Sequence, residues 1–126
     1  FERELAQVCQ NYGMGVIPYS PLAGGFLTGK YRRDVAPESA RRRGVQKYFN
    51  DANWTLLESM EKIGQVYNGA SISQIALAWL LSNPLITSPI IGPRSLEQLQ
   101  DNLGAASLRL STDEKKLLDE ATQWKD

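Results

Sequence analysis

The sequence has no histidine and a single cysteine, Cys9, in 126 residues. Without histidine it can build no histidine triad, histidine metal site or histidine proton relay. One cysteine permits no internal disulfide, which excludes a disulfide-stapled scaffold and favours a reducing compartment. Net charge is also lacking. Fourteen Lys and Arg balance fourteen Asp and Glu, so bulk charge points to neither a nucleic acid nor a membrane surface. The longest strongly apolar run, residues 75–81, is far short of the roughly 20 residues a membrane span needs. The start, Phe1-Glu2-Arg3-Glu4, has charge but no apolar stretch behind it, so no targeting segment is expected. No repeat of 20–50 residues and no low-complexity tract is present.

What is present reads as alternating helices and strands. Leu5, Val8, Cys9 and Tyr12 fall at helical spacing and predict one apolar face, with Gly13 as the stop. Residues 14–19 are short and continuously apolar, as in a strand covered on both faces, although Pro18 cannot donate to a ladder. Residues 20–52 form a long irregular stretch. Its segment 30–47 holds seven of the fourteen basic residues, with only Asp34 and Glu38 as acids. Asn53 is the expected cap of a helix whose buried face is Leu56, Met60, Ile63 and Tyr67, ended by Asn68-Gly69. Ser71 with Gln74 predicts a capping box ahead of an apolar, buried helix over residues 75–82, stopped by Pro84. Residues 86–91 read as a second strand, interrupted by Pro89. Ser95 with Gln98 repeats the box, with Leu96, Leu99 and Leu103 inward and Gly104 closing the helix. Ser111 with Glu114 opens a last helix, with Leu117, Leu118, Ala121 and Trp124 inward.

Strands joined through helices imply an α/β fold with parallel pairing. Two short parallel strands alone would leave both edges unpaired, which suggests part of a larger sheet. Two segments follow strand ends, where α/β folds bind ligands. In the first, Tyr19-Ser20-Pro21-Leu22-Ala23-Gly24-Gly25 runs on to Lys30. Small residues let backbone amides approach an anion, and Lys30 supplies a point charge. The same pattern also serves as a plain turn. In the second, Gly92-Pro93-Arg94-Ser95 precedes Gln98 and Asn102 on one helix face. An arginine at a helix start suits a phosphate, and two amides suit a base edge. The alternative is a solvated Arg94 with Gln98 closing a cap. The cluster Arg41-Arg42-Arg43 reads as a solvated, protease-sensitive loop, or as a contact to a nucleic-acid backbone.

The segments Gly15-Val16-Ile17-Pro18-Tyr19-Ser20-Pro21-Leu22 and Gly25-Phe26-Leu27-Thr28-Gly29-Lys30-Tyr31 resemble the aldo-keto reductases. So do Ser73-Gln74-Ile75-Ala76-Leu77-Ala78-Trp79-Leu80-Leu81 and Ile90-Ile91-Gly92-Pro93-Arg94-Ser95, with Gln98, Asp101, Asn102 and Leu103. The resemblance covers almost the full chain. Its Gly-Lys-Tyr extension is similar to the long-loop bacterial and plant branches and the potassium-channel β-subunits.

The resemblance implies a (β/α)8 barrel binding NADP(H). Such barrels run to about 250 residues, so residues 1–126 would be the C-terminal part of one barrel domain. Residues 14–19 and 86–91 would then be strands seven and eight, and the N-terminal remainder of the barrel would be a partner. Tyr19 would stack on the nicotinamide. Ser20, Leu22 and Gly24 would wrap the pyrophosphate, and Lys30 would reach the same phosphates. Gly92, Arg94 and Ser95 would hold the 2′-phosphate, while Gln98 and Asn102 would bind the adenine. The family's catalytic Asp, Tyr, Lys and His lie on earlier strands. No catalytic residue is therefore assigned here, and this chain alone is expected to be inactive. The implied function is cofactor binding for hydride transfer to an aldehyde or ketone in a cytoplasmic enzyme. A cofactor-sensing regulatory subunit and a non-catalytic binding module are the alternatives.

Overall fold

The computed structural model describes residues 1–2, 4–35 and 42–123, without the Arg42 side chain. Arg3, Pro37, Glu38, Arg41, the Arg42 side chain and Trp124, named above, lie outside the described residues. Helix α1, Leu5–Asn11, ends as its glycine requires. Gly13 takes a left-handed φ of 61°. Its amide donates to the Gln10 carbonyl, and the Met14 amide donates to the Cys9 carbonyl at 2.8 Å. The expected apolar face is not buried. Leu5, Val8 and Tyr12 are exposed, because no described element packs over them.

Residues 14–19 and 86–91 are neighbours and run parallel, meeting at the bridges Val16–Ile86 and Tyr19–Ile90. The Thr87 amide donates to the Val16 carbonyl at 2.8 Å and the Ile90 amide to the Pro18 carbonyl at 2.9 Å. Pro18 and Pro89 lack an N–H, so among the described residues the pairing stays at isolated bridges. Coverage on both faces is not seen either, since Met14, Ile17 and Tyr19 are exposed.

A kinked 3-10 segment, Ala23–Thr28, follows. It seats Phe26 in an aromatic cluster with Tyr48, Phe49 and Trp54, ring centroids 5.4–6.1 Å from Phe26. Tyr31 is wholly buried against Phe49. Offset aromatic pairs of this kind add about 1 kcal/mol each beyond the area they bury. Helix α2, Arg42–Val45, adds Val45 to the core.

Helix α3, Asp51–Val66, is capped by Asn50 rather than Asn53. The Asn50 side chain accepts from the Asn53 amide at 2.9 Å, while the Asn53 side chain donates to the Tyr48 carbonyl. Two asparagines three apart fit one cap equally in sequence, and only the first has extended backbone. Leu56, Met60 and Ile63 are buried as expected. Helix α4, Ile72–Leu81, carries the complete Ser71–Gln74 capping box and is buried along most of its length.

Helix α5, Leu96–Gly104, departs from expectation. Leu96 and Leu103 are exposed, and its buried residue is Asn102. Gly104 does not stop it by a left-handed turn; its φ is −56° and the chain continues into a 3-10 turn, Ala105–Ser107. A Cβ there would lie 2.3 Å from the Gln74 amide nitrogen and would displace that side chain from its bond to the Asp101 carbonyl. Helix α6, Thr112–Ala121, has the expected Ser111–Glu114 box. Among its expected inner residues that are described, Leu118 is buried, while Leu117 and Ala121 are exposed. The core is α3, α4 and Leu118 of α6 around the aromatic cluster.

Candidate functional site

A cleft of about 510 Å³ opens where the two parallel segments end. One wall is Tyr19, Ser20, Leu22, Gly24 and Lys30; the facing one is Gly92, Arg94, Gln98 and Asn102. Nine of the ten residues singled out from sequence therefore meet in one place. Ser95 is not in the lining. Its hydroxyl accepts from the Gln98 amide at 3.2 Å and caps α5. The capping box expected there is incomplete: the Gln98 side-chain oxygen accepts from the Arg94 amide at 2.8 Å, not from Ser95. That bond fixes the backbone of Arg94 at the cleft edge.

The first wall is shaped by left-handed backbone. Ser20 and Ala23 take φ of 56° and 50°, and Gly24 and Gly25 take 67° and 101°. A left-handed serine and alanine cost about 1 kcal/mol or more each, and such residues cluster at ligand clamps. A Cβ on Gly25 would crowd the Lys30 ammonium at 3.3 Å. The loop amides are less available to an anion than the sequence suggests. Ala23 donates to the Ser20 carbonyl, Gly25 to the Leu22 carbonyl, and Gly24 to the Ser20 hydroxyl. Positive charge at the cleft comes instead from Lys30 and Arg94, neither of which forms an ion pair among the described residues, while Asp101 adds one carboxylate to the lining. Lys30 sits 5.0 Å from the Tyr31 ring centroid, a cation–π contact that steadies it. Tyr19 is 85% exposed at the cleft mouth, its face open to a flat ring.

Three polar lining residues were not singled out as site residues: Thr28, Ser73 and Asp101. Thr28 donates to the Gly25 carbonyl at 2.8 Å. Asp101 accepts from the Ser71 hydroxyl at 2.8 Å, which ties α5 to the start of α4. Ser73 is reached only through the fold, because its surroundings in sequence are those of a core helix. Among the described residues no group of three or more His, Cys, Asp and Glu is placed to hold a metal. No helix among them is long and apolar enough to cross a membrane.

Comparison with known proteins gives one consistent result. The chain is 37% identical over 125 residues to an L-glyceraldehyde 3-phosphate reductase of Escherichia coli O157:H7, covering 92% of the chain and 36% of that relative. It is 33% identical over 123 residues to the protein named uncharacterized oxidoreductase YrpG of Bacillus subtilis (strain 168), covering 94% of the chain and 35% of the relative. It is 34% identical over 113 residues to a protein of Arabidopsis thaliana named probable voltage-gated potassium channel subunit beta, covering 85% and 34%. The chain thus spans about a third of the length of the curated relatives it matches. The model of the aldo/keto reductase family matches residues 1–123, and the chain belongs to that family.

Proposed function

We propose that residues 1–126 are the C-terminal part of one (β/α)8 barrel domain, and that the cleft holds NADP(H) for an oxidoreductase acting on an aldehyde or ketone. Segments 14–19 and 86–91 are then barrel strands seven and eight. The N-terminal remainder of the barrel is the partner that brings the catalytic groups. The setting is cytoplasmic, with no nucleic-acid or membrane partner.

The observation that carries this reading is the meeting of two cations, Lys30 and Arg94, with Tyr19, Gln98 and Asn102 around one cleft. A phosphorylated dinucleotide has a flat ring at one end, a base at the other and anionic groups between. Tyr19 offers a face to the nicotinamide, and Ser20, Leu22 and Gly24 shape the loop beside the pyrophosphate. Lys30 compensates charge there. Arg94 pairs with the 2′-phosphate. Asn102, only 9% exposed and with no side-chain hydrogen bond among the described residues, is an amide left for the base. Gln98 has its oxygen engaged by the Arg94 amide and keeps its two N–H donors for the same task. Bound there, the nicotinamide supplies the hydride that reduces the carbonyl. This chain's residues bind and orient.

The test is Arg94→Ala in the intact protein. A charge-assisted pair to phosphate is worth about 1.5–3 kcal/mol. NADPH affinity is expected to fall by about tenfold or more, with NADH affinity little changed, in fluorescence titrations of both. Equal losses for the two would remove the assignment of Arg94. The likeness to proteins named as potassium-channel β-subunits supports a second reading, a cofactor-sensing regulatory subunit. Brisk turnover of simple aldehydes by the intact protein would count against it.

A further inference from the structure

Ser73 is the second residue of α4 and lines the cleft while only 6% exposed. Its hydroxyl makes no hydrogen bond among the described residues. The neighbouring Ser71 hydroxyl is fully used: it accepts from the Gln74 amide and donates to Asp101. Burying an unpaired hydroxyl costs about 1–3 kcal/mol, so a group kept in that state against a polar cleft is matched to something that enters the cleft. The position also selects the partner's chemistry. The first turn of α4 carries amides without intrahelical partners and the positive end of the helix dipole. Lys30 and Arg94 line the same cleft, and the one carboxylate beside them, Asp101, already accepts from the Ser71 hydroxyl. An oxygen carrying negative charge suits this environment; a second donor does not.

We infer that Ser73 is a cofactor-contacting residue whose hydroxyl donates to a phosphoryl oxygen of the bound dinucleotide. This rests on the NADP(H) reading of the cleft and adds a donor contributed by α4. With it the ligand would be gripped from the Ser20–Lys30 loop, the Arg94–Asn102 segment and the start of α4.

The experiment compares wild type, Ser73→Ala and Ser73→Thr of the intact protein, with NADP+ as the probe. Calorimetric titration gives the affinity, and thermal unfolding without cofactor gives the stability. Ser73→Ala is expected to weaken NADP+ binding about tenfold, with an unliganded melting temperature equal to or above wild type, because an unpaired buried group has been removed. Ser73→Thr keeps the hydroxyl and is expected to retain most of the affinity. Unchanged NADP+ affinity in Ser73→Ala overturns the inference while leaving the cofactor reading intact. A clear drop in the unliganded melting temperature overturns it too, since the hydroxyl would then serve the fold. Failure of wild type to bind NADP+ at all overturns both.

Discussion

Gly64 has no space for a methyl group. A Cβ there would lie 2.2 Å from the Ala70 carbonyl oxygen, which is backbone and cannot swing aside. The Gly64 carbonyl in turn accepts from the Gly69 and Ala70 amides at 3.0 Å, folding the α3–α4 turn back onto the helix. Gly64→Ala is expected to cost about 1–3 kcal/mol, the range for overpacking a tight site. Gly44, with nothing among the described residues within 4 Å of its Cβ position, is the control, and Gly44→Ala should be near neutral. Urea midpoints of the two variants decide the matter. At this scale the sequence is a partial guide. The turn glycines at 13 and 69 announce themselves by neighbours and spacing, whereas Gly64, inside α3, is explained only by what approaches it in space, and Gly104, expected as a helix stop, owes its place to the nearby Gln74 side chain. Ser73 is hidden for the same reason.

Between elements, polar side chains do much of the joining. The Tyr67 hydroxyl at the end of α3 lies 2.6 Å from a Glu114 carboxylate oxygen in the first turn of α6. The Trp79 indole of α4 donates to Asp119 of α6 at 2.7 Å, and Lys115 pairs with the same carboxylate. Partial burial pushes both carboxyls up. The bonds from Tyr67 and Ser111 to Glu114, and from Lys115 and Trp79 to Asp119, outweigh it and hold both below their ordinary values of 4.5 and 3.8. A carboxyl lowered in the folded state adds stability that is complete above its unfolded value and vanishes as pH drops through the folded one. The melting temperature is therefore expected to stay level down to about pH 5 and decline below it. Glu114→Gln and Asp119→Asn should each flatten that decline in a pH series of thermal scans; an equally steep decline in both variants would contradict the assignment. The capping boxes of α4 and α6 were legible because their signal is local. The inner faces of α5 and α6 were not. Leucines at helical spacing mark an apolar stripe, but spacing does not say whether the stripe has a neighbour.

At the scale of the whole molecule, burial is uneven among the described residues. Phe26, Tyr31, Trp54, Met60, Ile75 and Leu118 form a dry core, while Tyr12, Met14, Ile17, Leu96 and Leu103 stand exposed on α1, the first parallel segment and α5. Large apolar side chains left exposed on these elements are available to a covering partner. Expressed by themselves, these 126 residues are expected to bind a hydrophobic dye and to elute from a sizing column above their 14.1 kDa mass. A dye-silent monomer that unfolds cooperatively would instead describe a self-sufficient module. The parallel pairing was foreseen from the order of elements. Its reduction to two bridges was foreshadowed by Pro18 and Pro89, although continuous apolar runs had suggested full strands.

The two walls of the cleft are linked in an unusual way. Val16 and Thr87, which touch beside it, are 71 residues apart in the chain, and few backbone bonds hold that closure. Bringing distant segments together is costly in chain entropy. Any molecule that grips Lys30 and Arg94 at once therefore acts as a brace across this 71-residue closure. Its binding energy is shared with folding, and saturation should tighten the whole crossing along with the residues it touches.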